Sequence, residues 1–251
     1  MQKLSVVIIT FNEARNIVPC LQSLVRIADE VIVYDSFSTD STCALAEQHG
    51  AKVFQGTWQG YSKSKNIANE KAANNWILSL DADEVLSKEL QDSISQLKRN
   101  GLQTAAFKRL TNYCGTWIKH AGCYPDIKLR LFNRQQMHWE GLIHEELKTI
   151  NGDEIKAILL DGDCLHYSYH KVEEHYVQTD KFSTLSAQSL YNKGIKTNFI
   201  KQYLGPVFKF IKMYFIKLGF LDGYYGFIVS KISARAVYLR NVKLRKLYNK
   251  Q

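Results

Sequence analysis

Apolar and polar positions alternate in short blocks over the first hundred residues. Val6-Val7-Ile8-Ile9 is a β-branched run that predicts a strand buried on both faces. Ile17, Leu21 and Leu24 then share one face of a helix expected from about Glu13 to Arg26. Val31-Ile32-Val33-Tyr34 predicts a second strand, ending in Asp35-Ser36-Phe37-Ser38-Thr39-Asp40, a run rich in helix-capping residues. The next helix runs to His49 and stops at Gly50. Lys52-Val53-Phe54 is a short third strand, about Tyr61 to Asn74 a helix, and Trp76-Ile77-Leu78-Ser79-Leu80 a fourth strand. This alternation predicts a parallel, doubly wound sheet. Such sheets bind ligands beyond the carboxyl ends of their strands, here Thr10 to Glu13, Asp35 to Asp40 and Asp81 to Glu84.

The pattern then changes twice. From Gly101 to His166 the helical period is lost, and Ala105 to Leu110, Lys128 to Phe132 and Ile155 to His166 read as strands. The aromatic, glycine-containing stretch Asn112 to Tyr124 reads as a loop that shapes a pocket. From His170 the chain is helical again. Lys171 to Lys193 is polar, and Phe199 to Leu221 is apolar but interrupted by Lys201, Lys209, Lys212 and Lys217. No window approaches the ~18 apolar residues of a spanning helix. Ile228 to Tyr248 mixes apolar residues with Lys231, Arg235, Arg240, Lys243, Arg245 and Lys246. Basic residues among aromatics on amphipathic helices suggest an interfacial segment on an anionic membrane, the alternative being a helical cap packed on the core or on a second subunit.

Charge and cysteine usage narrow the class. The 251 residues carry 33 Lys and Arg against 24 Asp and Glu, a net of +9, which fits an anionic partner. The acidic strand ends would repel a phosphodiester backbone, and no nucleic-acid recognition motif is present. Cys20, Cys43, Cys114, Cys123 and Cys164 are odd in number and form no C-x-x-C pair, which argues against a disulfide framework or a cysteine zinc site. The first apolar run is too short for a signal-peptide core, so a cytoplasmic protein is expected.

Asp81 and Asp83 follow a buried strand and are one residue apart, so both can face one site. Two such carboxylates need a cation, and hard oxygen ligands suit Mg²⁺ or Mn²⁺ shared with a substrate's phosphates. Asp35 is placed to accept hydrogen bonds from a nucleobase or ribose, and Thr10, Phe11 and Glu13 to flank a base. Lys63 and Lys65 either meet phosphates or are solvated. Arg130 either faces a phosphate or is a salt-bridged sheet residue.

Three segments in this order and spacing, Leu4 to Glu13, Val31 to Thr42 and Trp76 to Glu84, resemble the signatures of family 2 glycosyltransferases. In the second, Ser36 and Phe37 stand where that family usually carries a second acid and a glycine. Lys128 to Phe132, Gly141-Leu142-Ile143-His144-Glu145 and Leu165 to Tyr169 are similar to the subgroup of glucosyltransferases that build the inner core of bacterial lipopolysaccharide. The resemblance implies a GT-A fold, a Rossmann-like α/β architecture with a mostly parallel sheet, and a basic C-terminal helical appendage. It implies a catalytic region over 1–169, with 1–100 holding the nucleotide sugar and 101–169 the acceptor, and a membrane-associating region over 170–251.

By the same resemblance the reaction is an inverting transfer of a hexose, glucose from UDP-glucose being expected, to a lipopolysaccharide core or related glycolipid acceptor. Asp35 would hold the nucleoside, Asp81 approach the ribose and metal, and Asp83 ligate the metal, with His166 as a further ligand. Inversion needs a general base, for which Glu145 is the expected residue and Glu146 its neighbour in contention. Lys148 stands where H-E-x-x-H would need its second histidine, which removes a metalloprotease reading. A polyprenyl-phosphate glycosyltransferase and a sugar nucleotidyltransferase are the alternatives. The latter usually carries a glycine-rich basic loop after its first strand, which Thr10 to Glu13 is not.

Overall fold

The computed structural model describes residues 2–141 and 145–249. Leu142, Ile143 and His144 of the Gly141–Glu145 motif lie outside the described residues, as do Met1, Lys250 and Gln251. The chain forms two compact units, Met1–Arg109 with Asp126–His166, and Leu110–Pro125 with Tyr167–Gln251.

The first unit opens with β1 (Leu4–Thr10), α1 (Ile17–Gln22), β2 (Glu30–Asp35), α2 (Thr42–Gln48), β3 (Lys52–Gln55), α3 (Tyr61–Glu70) and β4 (Trp76–Asp81). These strands lie parallel in the order β3-β2-β1-β4. The chain continues through β5 (Glu84–Leu86), α4 (Lys88–Asn100), β6 (Ala105–Tyr113), β7 (Thr116–Ile118), β8 (Asp126–Asn133), β9 (Met137–Glu140), β10 (Glu146–Thr149) and β11 (Ile158–Tyr169). β8 joins β4 antiparallel and extends the sheet through β6, β11 and β5, with β7 paired to β6 and β9–β10 a separate hairpin.

All seven residues of β1 are buried, as a two-sided parallel strand requires. Its side chains alternate between two cores. Val6 and Ile8 pack with Leu78 and Leu80 of β4, Ile17 of α1 and Leu90 and Ile94 of α4. Val7 and Ile9 pack on the other face with Ile77, Ala68 of α3 and Trp139 of β9. Each such side chain contributes about 1.5–3 kcal/mol by leaving water, so the strand ends are carried on a rigid base.

The helix expected from Glu13 starts only at Ile17. The Glu13 amide donates to Thr42 Oγ1 at 2.8 Å and the Ala14 amide to Asp40 Oδ2 at 3.2 Å, so this backbone is committed to the neighbouring loop. Asn112 to Tyr124 is not simply a loop either. β6 runs to Tyr113 and pairs with β7, and Tyr113, Ile118 and Ala121 are core residues of the second unit.

That second unit is built on α5 (Val172–Asn192), α6 (Phe199–Ile211), a π-helical turn (Lys212–Ile216), a 3-10 turn (Gly219–Asp222) and α7 (Gly223–Tyr248). Met213, Ile228, Val229 and Ile232 complete its core around Tyr113. Gly226 is required where α7 begins, because a Cβ there would lie 1.9 Å from the Gly219 carbonyl oxygen. Asp222 ties the 3-10 turn down, accepting from the His120 amide at 2.8 Å and pairing with His120 Nδ1 at 2.7 Å. No helix among the described residues is long and apolar enough to cross a membrane. The basic stretch Ile228 to Tyr248 lies wholly in α7, whose Ile228, Val229, Ile232, Ala234 and Leu244 are buried.

Candidate active site

Parallel pairing brings three strand ends level. Thr10 stands opposite Asp35, and Ile9 opposite Asp81. The loops beyond β1 and β2 are then laced together. Asn12 receives the Thr39 amide on its side-chain oxygen at 2.8 Å, and its own amide donates to Ser38 Oγ at 2.7 Å. Asn12 and Phe37 take left-handed φ values of 55° and 61°. Asn adopts that conformation readily and Phe does not, so the position that carries glycine in the resembled pattern keeps a glycine-like backbone with a bulky residue on it. The Phe11 and Phe37 rings are both half exposed.

Asp35 is fully buried. Its Oδ1 accepts from Ser38 Oγ at 2.5 Å, and its Oδ2 from the Ser38 amide at 2.8 Å and Gln55 Nε2 at 3.2 Å. Burial alone would raise its pKa, but these hydrogen bonds outweigh burial and hold it below the usual carboxylate range. Asp35 therefore organises its own loop as well as facing the strand ends. Glu13 accepts from Asn16 Nδ2 at 2.7 Å. Burial, reinforced by the field of Asp83, Asp40 and Asp81 and opposed by the Asn16 bond, pushes its pKa up to about 7. The buried Thr10 Oγ1 has no hydrogen-bond partner among the described residues.

The centre of the site is a buried lattice of charge. Lys65, on α3, is 1% exposed and its Nζ lies 3.1 Å from both Asp81 Oδ1 and Glu145 Oε1. Lys65 is thus neither solvated nor free for phosphate as this lattice stands, whereas Lys63 is exposed. Arg130 Nη2 donates to the other Asp81 oxygen at 3.1 Å and lies 3.5 Å from Glu84 Oε1. It takes the salt-bridged alternative. Burial works against charge on Asp81, yet Lys65 and Arg130 overcome it and lower its pKa well below the ordinary value.

Glu84 is fully buried, accepts from the Asp81 amide at 3.0 Å, and pairs with Arg109 at 3.2 Å. Arg109 in turn bonds Asp126 at 2.8 Å. Trp139 roofs the lattice, with Lys65 Nζ 4.8 Å and Arg130 Cζ 5.6 Å from its ring centroid.

Asp83 has a different partner, its Oδ2 3.1 Å from His166 Nε2. β11 carries His166 there by pairing it with Glu84 of β5. Burial lowers the His166 pKa, but the neighbouring Asp83 more than reverses this and raises it. His166 Nδ1 is buried with no hydrogen-bond partner among the described residues. Among those residues no group of three or more His, Cys, Asp or Glu side chains is arranged to hold a metal ion. One carboxylate and one imidazole still fit a divalent cation that takes its remaining ligands from a diphosphate.

Several functional candidates escaped the sequence pattern. Glu84 is the fourth residue of Asp81-Ala82-Asp83-Glu84, and only burial distinguishes it from a surface acid. Arg109 and Trp139 carry no motif. Tyr61, edge-on to the exposed Trp58 at 4.8 Å, has its hydroxyl pKa raised by burial and by the fields of Asp81, Glu145 and Asp83, which places it beside the acids. Glu146 sits at the start of β10 opposite Glu140, with its side chain 3.3 Å from Lys148.

The family model described as "Glycosyl transferase family 2" matches residues 5–144. An "Uncharacterized glycosyltransferase" of Rickettsia felis is 35% identical over 98% of this chain and 90% of its own length. The "Lipopolysaccharide core biosynthesis glycosyltransferase LpsC" of Rhizobium meliloti is 27% identical over 95% of this chain and 93% of its own. Among solved structures, the mannosyltransferase PcManGT of Pyrobaculum calidifontis, in complex with GDP-Man and Mn²⁺, superposes with a TM-score of 0.56 at 13% identity. That superposition covers 99% of this chain and 88% of the other, and the shared architecture is the GT-A fold.

Proposed function

The chain belongs to glycosyl transferase family 2, and from that premise we propose that it is an inverting, metal-dependent hexosyltransferase acting on a lipopolysaccharide core or related glycolipid acceptor. The observation that carries the reading is the Asp81–Lys65–Glu145 chain, in which one buried ammonium ties a strand-end carboxylate to the candidate base with two contacts of 3.1 Å. The sequence-level likeness to the core glucosyltransferases and the LpsC relative support the acceptor class. Glucose from UDP-glucose is the donor we favour, on the subgroup resemblance.

In this mechanism Thr10, Phe11, Glu13 and Asp35 receive the nucleoside beyond β1 and β2. Asp83 and His166 would hold Mg²⁺ or Mn²⁺, which when bound neutralises charge on the departing nucleoside diphosphate. Asp81, kept ionised by Lys65 and Arg130, fixes the ribose side of the donor. Glu145 takes the proton of the acceptor hydroxyl as that oxygen attacks the anomeric carbon from the opposite face, inverting its configuration. Lys65 aims that carboxylate and stabilises its charge before the acceptor arrives. The enzyme works at the inner face of the cytoplasmic membrane as a peripheral protein, in keeping with its basic C-terminal region.

The test is turnover of a nucleotide-sugar panel with Mn²⁺ or Mg²⁺, beside D83A and E145Q, with core saccharide and polyprenyl phosphate as separate acceptors. Metal-dependent transfer to the core saccharide, lost in both variants, is expected. Transfer to polyprenyl phosphate that survives E145Q would move the protein to that acceptor class, because a phosphate needs no base.

A further inference from the structure

The positive charge of this protein is concentrated in its last segment. Residues 198–251 hold eleven of the 33 basic residues and one of the 24 acidic ones, a net of +10 against +9 for the whole chain. The single acid, Asp222, is already engaged by His120.

The structure separates two elements that share this composition. α7 is largely packed within its unit, as its buried Ile228, Val229, Ile232 and Leu244 show. α6 does the reverse. Gln202 is its one buried residue, and its contact with α7 runs along Gly205, where a Cβ would lie 3.5 Å from Val237. The rest of α6 and the two turns after it turn large apolar side chains outward. Ile200, Phe208, Phe215, Ile216 and Leu221 are 55–65% exposed. Lys201, Lys212 and Lys217 are exposed among them.

We propose that α6 and the turns through Asp222, rather than α7, form a surface that lies in the plane of an anionic bilayer, with the apolar side chains among the acyl chains and the lysines among the headgroups. This rests on the peripheral-membrane reading given above and assigns it to particular residues. An apolar helix studded with cations and too short to span is the composition that interfacial insertion requires. A second copy of the chain is a poorer occupant, because the same face would bring its own lysines against their counterparts.

The test is flotation of the full chain with phosphatidylcholine vesicles, with and without phosphatidylglycerol, alongside sedimentation velocity. The wild type is expected to float with the anionic vesicles. F208S/F215S is expected to lose on the order of a hundredfold in partitioning, at roughly tenfold or more per phenylalanine. K201Q/K212Q/K217Q is expected to lose on the order of a hundredfold, at about fivefold per lysine. K231Q/K246Q, altering two exposed bases of α7, floats as the wild type does. Thermal melting of each variant separates a lost surface from a lost fold.

If F208S/F215S still floats while K231Q/K246Q does not, α7 is the contact and this assignment falls, with the membrane reading intact. No flotation of the wild type on either vesicle removes both. A wild-type oligomer that F208S/F215S disperses, without flotation, makes a second copy the occupant and overturns the proposal.

Discussion

The two units place charge and apolar surface in opposite ways. In the first, Lys65, Asp35, Glu84 and Arg130 are all 4% exposed or less, and the apolar side chains of β1 and β4 line both faces of the sheet. In the second, the bases of α6 are at or near the surface, and so are most of its large apolar side chains. Burying charge costs free energy unless each charge is paired or hydrogen-bonded nearby, and the first unit meets that demand with a lattice of acids and bases around Asp81 and with hydrogen bonds from Ser38 and Gln55 at Asp35. Exposing a broad apolar face is also unfavourable in water, and nothing within α6 relieves it. The contrast teaches that each unit departs from the ordinary inside-outside rule at one place, and that this place is where a ligand or surface is expected.

The largest effect that would sharpen this contrast is catalytic. Glu145→Gln should lower kcat by roughly 10²–10⁴-fold in initial-rate assays while donor binding persists. Unchanged turnover would leave the lattice as structure alone. Next is Lys65→Met, which strips the ammonium from between Asp81 and Glu145 and should cost about 3 kcal/mol in denaturant unfolding. Ile232→Ala, in the apolar core of the second unit, should cost about 2–3 kcal/mol by leaving a cavity. A negligible loss there would mean that this core is less well packed than the sheet.

Phe37→Gly should stabilise by about 1 kcal/mol, since glycine accepts φ of 61° without the Cβ clash. A fall in stability would show that the half-exposed ring contributes more than its backbone costs.

Two further effects are pH slopes of opposite sign. Glu13 in the folded chain titrates near 7, above its unfolded value of 4.5, so the folded state binds more protons between these values and stability falls as pH rises through them. His175 of the second unit is pushed by burial down to about 4, below its unfolded 6.5, so stability falls as pH drops from 6.5 towards 4. Glu13→Gln should flatten the first slope and His175→Gln the second, in melting curves taken across pH 4–8. A single variant that flattened both would break the distinction.

Much of the first unit is legible in one dimension. β1, β2 and β4 show as β-branched or apolar runs, and their ends show as polar loops at the spacing that the GT-A fold uses. α4 was equally within reach, since Leu90, Ile94 and Leu97 recur at helical spacing and Ser87 caps the first turn by accepting from the Leu90 amide. The start of α1 was not, because Glu13 looks like a helix opener until Thr42 and Asp40 bind the backbone around it. Residues 110–125 were no easier. Their aromatic and glycine content resembles a pocket loop, and only packing shows that Tyr113 and Ile118 belong to the helical core.

By itself the sequence determined the alternating elements, the three acidic strand ends and the basic character of the tail, because these depend on periodicity and on near neighbours. Only the tertiary structure decided that Lys65 meets Glu145 across eighty positions of chain, that Arg130 bonds acids within the lattice, and that His166 faces Asp83. It also decided which of two similar basic helices is covered. Long-range pairing and the covering of one face by another set those outcomes, and a pattern of side chains along the chain carries no record of either.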